Sequence, residues 1–417
     1  MTRSGRTIEG HPKPYAATLV AVSMLFPRPD PNEQFRAQRA WARRARRLRR
    51  SLLLGGVLVA VLAVAVGMTV ARPSPPLPPA PVQATVTVAS AAAPVAAGPR
   101  ALPTEIRGVH VTGALASLDG KLEEYIDLVR YGLNTIELDV KDESGFVAFK
   151  PAGVPLAERI GATRSFYRPA EVARLAHANG VYLIGRIVVF QDPILARARP
   201  DLAVQRPDGS GWATSGGHGW VNPYERRVWD YTLGIAAAAA KAGFDEIMLD
   251  YVRFPSDGDV ASARYPGRTS LRRGEVIADF VAYAEHKLRP LGVRVSVALF
   301  GLAATRDLRI GQVPAWIGQH VDHVYPMAYP ALYGSGELGL ADPSAAPGET
   351  VYRTLAAFRN DLRSTQAELI PWIQDWGYRP EDVRRQVEAS RLQGARGFLL
   401  WNAEGIYTTS VLAPQPG

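Results

Sequence analysis

The chain has 417 residues, with 48 Lys and Arg against 39 Asp and Glu and no cysteine, which excludes disulfides, iron–sulfur clusters and thiolate zinc sites. The formal charge of +9 is carried by residues 1–50, where eleven Arg and one Lys face three acidic residues, so residues 51–417 are neutral overall. A neutral body argues against nucleic-acid binding.

The N-terminal region predicts a membrane anchor. The basic run RRARRLRR at 43–50 precedes 21 uncharged, mostly apolar residues at 51–71. As a helix rising about 1.5 Å per residue, this stretch spans a hydrocarbon core of roughly 30 Å. The positive-inside rule places the basic leader, residues 1–50, in the cytoplasm and the remainder outside it. A cleaved signal peptide, which would give a secreted protein, is the alternative.

A Pro/Ala-rich stretch at 72–104 predicts a linker, so the folded domain is expected at 105–417. In this domain apolar runs alternate with helical patterns. Predicted strands lie at 106–113, 134–141, 181–190, 246–254, 293–301, 322–330, 369–376 and 397–403. Predicted helices lie at 118–131, 169–179, 223–242, 272–291, 314–320, 350–363 and 380–393.

Eight β/α units in about 300 residues predict an α/β protein of the (β/α)8 TIM-barrel class. A doubly wound sheet is the weaker alternative, because the sequence VTGALASLDG after the first run is not the G-x-G-x-x-G phosphate loop of that class.

Polar residues collect at the ends of the predicted strands, where the active sites of TIM barrels lie. The first half of the barrel supplies His110, Glu137, Asp139, Lys141, Arg186, Asp250, Tyr251 and Arg253. The second half supplies Tyr325, Tyr329, Asp375, Trp376, Trp401 and Asn402. Because outer strand faces pack under apolar helices, we expect Glu137, Asp139 and Lys141 to share the lumen, with Lys141 offsetting the two carboxylates. Asp250 is expected to face the same lumen.

Carboxylates from several strands beside Tyr and Trp rings are typical of a carbohydrate site. Glycoside hydrolysis needs two carboxyl groups, about 5–5.5 Å apart for retention or about 6.5–9.5 Å for inversion. Aromatic rings stack on the apolar faces of sugars. We therefore take Asp250, with Asp139 or Asp375, as candidate catalytic residues, and the other eleven as candidate substrate contacts. Among these, Arg253 is expected to orient a carboxylate such as Asp250 or to bind an acidic sugar.

Structural roles are open alternatives for several of these residues. Asp139 could pair only with Lys141 or Arg186, Asp375 could be a cap or loop residue, and His110 and the aromatic rings could be barrel packing. No metal or cofactor is predicted, because DGDV lacks the rest of a calcium loop and the histidines His218, His320 and His323 show no zinc-ligand spacing.

Five segments resemble a glycoside hydrolase domain family of exported bacterial proteins, itself distantly similar to the α-amylase-type barrel hydrolases. They are GLNTIELDVKDESG, WVNPYERRVWDY, GFDEIMLDYVRFPSDG, HVYPMAYP and PWIQDW, and the resemblance extends over about residues 106–407. It implies a TIM barrel that acts on a polysaccharide.

The resemblance also implies roles for two residues. In α-amylase-type barrels the nucleophile is an Asp that ends strand 4, which Asp250 matches, and their strand-7 Asp could correspond to Asp375. Their acid/base is a Glu that ends strand 5, whereas the fifth run here ends VALFGLAATRD, with Asp307 as the nearest acid. The proton donor therefore does not carry over, and Asp139, Asp375 and Glu404 are the candidates.

The sequence thus favours a membrane-tethered glycoside hydrolase acting on an extracytoplasmic polysaccharide. The alternative from another class is a catalytically inactive polysaccharide-binding protein of the cell envelope, which would keep the aromatic rings without a correctly spaced acid pair. A lyase or a deacetylase is a third hypothesis, although a deacetylase would usually show Asp and His metal ligands.

Overall fold

A computed structural model describes residues 100–414. The predicted leader at 1–50, the predicted anchor at 51–71 and nearly all of the predicted linker lie outside these residues. No helix within residues 100–414 combines the length and the apolar character needed to cross a bilayer.

Nine parallel strands form one closed sheet in residues 100–414. They are β1 (Ile106–Val111), β2 (Thr135–Lys141), β3 (Tyr182–Val188), β4 (Glu246–Asp250), β5 (Arg294–Phe300), β6 (His323–Ala328), β7 (Glu368–Leu369), β8 (Trp372–Gln374) and β9 (Gly397–Trp401). Strands β1 to β6 pair in succession, both β7 and β8 pair with β6, β8 pairs with β9, and β9 pairs with β1. Because β7 and β8 are halves of one strand interrupted at Pro371, which has no N–H to donate, the sheet is the predicted eight-stranded barrel.

Ten α-helices accompany these strands within the described range. They are α1 (Gly113–Ala116), α2 (Lys121–Ile126), α3 (Pro155–Arg159), α4 (Pro169–Ala178), α5 (Pro193–Ala198), α6 (Arg226–Lys241), α7 (Arg273–Leu288), α8 (Pro314–Ile317), α9 (Pro347–Asp361) and α10 (Pro380–Leu392). The seven predicted helices are confirmed. The other three, α1, α3 and α5, have four to six residues and were not predicted.

A buried polar layer around Glu246 fills the barrel lumen at the N-terminal ends of the strands. Its Oε2 lies 2.9 Å from His323 Nδ1 and accepts a hydrogen bond from the Tyr182 hydroxyl at 3.1 Å. Tyr325, predicted as a sugar contact, is fully buried here and donates to Glu246 Oε1 at 2.9 Å. Its hydroxyl is therefore engaged inside the barrel, away from the strand ends that would receive a sugar.

Candidate functional site

Two carboxylates from different strands share one guanidinium near the C-terminal ends of β2, β3 and β4. Arg186 Nη1 donates to Asp139 Oδ1 at 2.6 Å, while its Nε and Nη2 donate to Asp250 Oδ2 at 2.9 and 2.6 Å. The exposed fractions of Asp139, Arg186 and Asp250 are 2%, 3% and 2%. The structure thus brings into one ion-pair network three candidates that the sequence places on separate strands.

Tyr251 follows Asp250 in the left-handed backbone region, with φ of 53°. A bulky residue rarely adopts this conformation. The turn ends β4 at Asp250 instead of at residue 254 as predicted, and it directs the Tyr251 N–H to Asp250 Oδ1 at 2.6 Å. Strained backbone next to a buried carboxylate is a recurring feature of functional sites.

His110 of β1 links a third carboxylate to this network. Its Nδ1 contacts Glu137 Oε2, and its Nε2 lies 4.0 Å from Asp139 Oδ2. His110, Glu137 and Asp139 offer ligand atoms within 4.8 Å of one another, close enough to hold a metal ion. Arg186, however, already supplies positive charge at Asp139, so a divalent cation would face a guanidinium at contact distance. The residues fit an ion-pair network better than a metal centre.

The network contains more acidic groups than basic ones. Four carboxyl groups surround one guanidinium and one imidazole: Glu137, Asp139, Glu143 and Asp250. Burial raises the pKa of Asp139; Arg186 and His110 oppose this rise, whereas Glu137 and Glu143 add to it. A carboxyl group whose pKa is raised beside other carboxylates is a candidate general acid.

The turn after β2 supplies two acidic residues that were not among the sequence candidates. Glu143 Oε2 lies 3.7 Å from Arg186 Nη1. Asp142 accepts the backbone N–H groups of Ser144 and Phe146 and so closes the turn. Burial raises the pKa of Asp142, and the neighbouring carboxylates of Glu143 and Asp139 raise it further, to about 7. In the sequence, these two residues could have been identified as the acidic pair in KDESG, directly after a predicted strand.

Lys141 does not offset Glu137 and Asp139, contrary to the prediction. The pairing register of β2 and β3 shifts between Asp139 and Lys141. This irregularity breaks the alternation that would have left Lys141 on the lumen face. Its Nζ lies 3.0 Å from Asp192 Oδ2 instead, and Arg186 provides the positive charge in the lumen.

Three predicted sugar contacts form an aromatic wall, defined as Tyr329, Trp376 and Trp401. Their ring centroids lie 5.2 Å apart for Trp376 and Trp401, 5.3 Å for Tyr329 and Trp376, and 6.1 Å for Tyr329 and Trp401. Trp401 stacks on His110 at 6.0 Å with 19° between the planes. The aromatic wall therefore adjoins the carboxyl network through His110.

Trp372 of β8 lies between the aromatic wall and the network, although it was not among the sequence candidates. Its ring centroid is 5.9 Å from that of His110 and 6.4 Å from that of Tyr329, and the Arg186 guanidinium lies 5.7 Å from it. Its indole N–H is buried and has no hydrogen-bond partner among the described residues. In the sequence, Trp372 could have been identified as a candidate because it lies four residues before Trp376 in PWIQDW. Residues four apart lie on the same face of a strand.

Asp375 and Asn402 attach the C-terminal segment. Asp375 Oδ1 accepts from the Thr408 hydroxyl at 2.6 Å and Oδ2 from the Thr408 N–H at 2.7 Å, while Asn402 contacts the Asp375 backbone carbonyl. Burial raises the pKa of Asp375, and the Thr408 hydrogen bonds oppose the rise. Asp375 has the loop role that the sequence left open, and its carboxylate is not one of those paired with Arg186.

Arg253 is buried next to the network. Its Nη1 donates to Ser256 Oγ at 2.9 Å. Its guanidinium lies 4.6 to 5.1 Å from the ring centroids of Phe300, Trp220 and Tyr251. The guanidinium that bonds Asp250 is that of Arg186, on the neighbouring strand.

The barrel resembles that of a solved glycoside hydrolase domain. The glycoside hydrolase domain of PgaB (BpsB) from Bordetella bronchiseptica matches with a TM-score of 0.56 at 16% identity, over 75% of this chain and 100% of that chain. A hypothetical protein from Ruminiclostridium thermocellum is 35% identical, over 45% of this chain and 96% of its own, with a TM-score of 0.41. The first similarity supports the barrel fold. A search of curated proteins finds no match to this chain.

The family of the chain is shown by a family model and not by these structures. The model described as "Putative glycosyl hydrolase domain" matches residues 108–407, which include every strand of the barrel after the first two residues of β1. The chain is therefore a member of this glycosyl hydrolase domain family.

Proposed function

We propose that the protein is a glycoside hydrolase that acts on an extracytoplasmic polysaccharide. The observation that supports this most directly is the pair of carboxyl groups on Asp139 and Asp250, joined by Arg186 beside the aromatic wall. Family membership gives the same reaction class.

The two carboxyl groups suit different tasks in this proposal. Asp139, whose pKa is raised, protonates the leaving glycosidic oxygen. Asp250, held by Arg186 and by the Tyr251 N–H, acts as nucleophile or as the general base that activates water. A covalent glycosyl intermediate on Asp250 would accompany retention, whereas direct attack by water would accompany inversion.

Substrate binding and location complete the proposal. The aromatic wall stacks on the sugar rings, and the Trp372 indole N–H donates to a substrate hydroxyl. Residues 51–71 anchor the chain and residues 72–104 tether the barrel outside the cytoplasm.

One observation favours the second candidate, a catalytically inactive polysaccharide-binding protein of the cell envelope. Asp139 and Asp250 are each only 2% exposed and both bond the same guanidinium. Carboxyl groups held in this way would have to gain access to the sugar before they could react. The aromatic wall would bind a sugar in either case.

The test uses the full-length chain, purified in mild detergent, against a panel of envelope and plant polysaccharides, with new reducing ends as the readout. We expect release by the wild type, loss of release in Asp250→Asn and Asp139→Asn, and near-normal release in Asp375→Asn, a matched loss of one buried carboxylate. Thermal unfolding shows which variants remain folded. Binding without release by the wild type would replace hydrolysis with the binding function. Release unchanged in folded Asp250→Asn and Asp139→Asn would place the chemistry elsewhere.

A further inference from the structure

A cavity of about 760 Å³ lies at the end of the barrel opposite the strand ends that carry the candidate site. Its lining comes from the start of β1 and β7 and from the C-terminal ends of α9 and α10. We call it the basic pocket, because its charged lining residues are Arg107, Arg359, Arg363, Arg391, Arg396, Glu105 and Glu368. Five guanidinium groups against two carboxylates leave it with three net positive charges.

The carboxylates of Glu105 and Glu368 already pair with arginines of the pocket. Glu105 accepts from Arg107 Nη1 at 3.2 Å and from Arg391 Nε at 2.7 Å. Glu368 lies 3.5 Å from Arg396 Nη1. The positive charge of the pocket is therefore not neutralised by its own acidic residues.

Arg359 and Arg363 carry the surplus charge. Both are exposed, and within residues 100–414 their hydrogen bonds go to the Gln393 carbonyl and to Asn360. No carboxylate bonds either of them, although the charge of Asp361 acts on Arg363. Guanidinium groups pair with phosphate and carboxylate through parallel N–H donors, so two such groups on one wall suit an anion.

A second, independent feature points to a ligand that also carries hydroxyl groups. Gln393 lines the pocket, is only 2% exposed, and its amide oxygen has no hydrogen-bond partner among the described residues. Arg396 Nε on the same lining is buried and also without an acceptor there. Buried polar atoms are ordinarily paired, so an unpaired acceptor and donor in one cavity indicate groups that a bound molecule completes.

We propose that the basic pocket binds an anionic saccharide, a sugar unit that carries a phosphate or a carboxylate. The anionic group lies against Arg359 and Arg363, and a sugar hydroxyl donates to Gln393 Oε1. The volume falls within the range of about 300–1,000 Å³ that small-molecule sites occupy. This site is separate from the carboxyl network and does not depend on hydrolysis there.

The experiment is calorimetric titration of the full-length chain with four probes: glucose 6-phosphate, glucuronate, inorganic phosphate and glucose. Wild type is expected to bind at least one of the two anionic sugars more tightly than both inorganic phosphate and glucose. The tighter of the two anionic sugars identifies whether phosphate or carboxylate is preferred. Arg359→Ala/Arg363→Ala should weaken this binding by about tenfold or more, as expected for loss of charged hydrogen bonds.

Two comparisons separate the pocket from general charge attraction, including attraction to the basic residues 1–50. Arg174→Ala/Arg384→Ala removes two exposed arginines outside the pocket and should leave affinity within about twofold. Gln393→Leu should weaken binding of the tighter anionic sugar and leave inorganic phosphate unchanged. Failure of the wild type to bind either anionic sugar, or equal losses in the two double variants, would overturn the proposal. Because Arg359 and Arg363 are exposed, that double variant remains informative even if Gln393→Leu fails to fold.

Discussion

Arg186 and Asp250 form a buried ion pair in which two nitrogens of the arginine, Nε and Nη2, bond the same carboxylate oxygen at 2.9 and 2.6 Å. The third nitrogen, Nη1, is thereby turned to Asp139 on the opposite neighbouring strand. One rigid guanidinium thus sets the relative position of two carboxyl groups on β2 and β4, which matters for any reaction that uses both.

Replacing Arg186 by methionine should lower the free energy of unfolding by about 3–5 kcal/mol, because the variant leaves buried carboxylates without their counter-charge. Urea unfolding of the full-length chain measures this loss. Arg384→Met, at an exposed position, is the matched control and should stay within about 0.5 kcal/mol of wild type. Equal stability of the two variants would contradict a buried, energetically important pair.

Asp139→Asn tests the proton donor. A general acid must be protonated, so kcat/KM should fall as pH rises through the raised pKa of Asp139. The variant should lose about 10²–10⁴-fold in kcat on the polysaccharide. It should retain more activity on an aryl glycoside of the released sugar, because a good leaving group needs little protonation. Equal losses on both substrates would assign the donor to another residue.

Trp376→Ala tests the aromatic wall, since Trp376 is the most exposed of its three rings. Loss of one stacked ring should raise KM for an oligosaccharide by about tenfold, with a smaller effect on kcat. Trp316→Ala is the matched control, because Trp316 is 38% exposed on α8, outside the barrel lumen. The same increase in KM for both variants would show that the effect is not one of sugar stacking.

His323 should make the stability of the barrel dependent on pH. Burial alone would lower the pKa of His323, but Glu246 at 2.9 Å raises it above its usual value. The folded chain therefore binds this proton more tightly than the unfolded chain. The resulting stabilisation is complete below about pH 6.5 and is lost as pH rises through the folded-state pKa.

His323→Gln should accordingly be less stable than wild type at about pH 6, with a flatter decline in the free energy of unfolding towards about pH 9. Urea unfolding across this range measures both slopes. His286→Gln removes an exposed histidine and should keep the wild-type slope. A wild-type slope in His323→Gln would exclude this ion pair as the cause.

The barrel was predictable from the sequence because its strands are short apolar runs separated by helical patterns, and only a few regular architectures accommodate eight such units. Asp139, Arg186 and Asp250 were predictable as members of one site for a related reason. In a parallel barrel, the C-terminal ends of all strands lie at one end, whatever their separation along the chain.

The contacts within that site depended on local departures from regular geometry. A register shift in β2 sends Lys141 to Asp192, and the positive φ of Tyr251 ends β4 before Arg253. A pattern of alternating residues assumes an unbroken strand, so it cannot anticipate either change. Arg186 consequently supplies the positive charge in the lumen that alternation had assigned to Lys141.

The sequence by itself determined the fold class and the strand ends at which the polar residues collect, because apolar periodicity and strand polarity are local properties of the chain. Only the tertiary structure decided which polar groups pair. Asp375 bonds Thr408, 33 residues later, and Glu246 bonds Tyr325, 79 residues later. Such pairs form because burial makes an unpaired charge costly, and the nearest partner is then set by how the whole barrel closes.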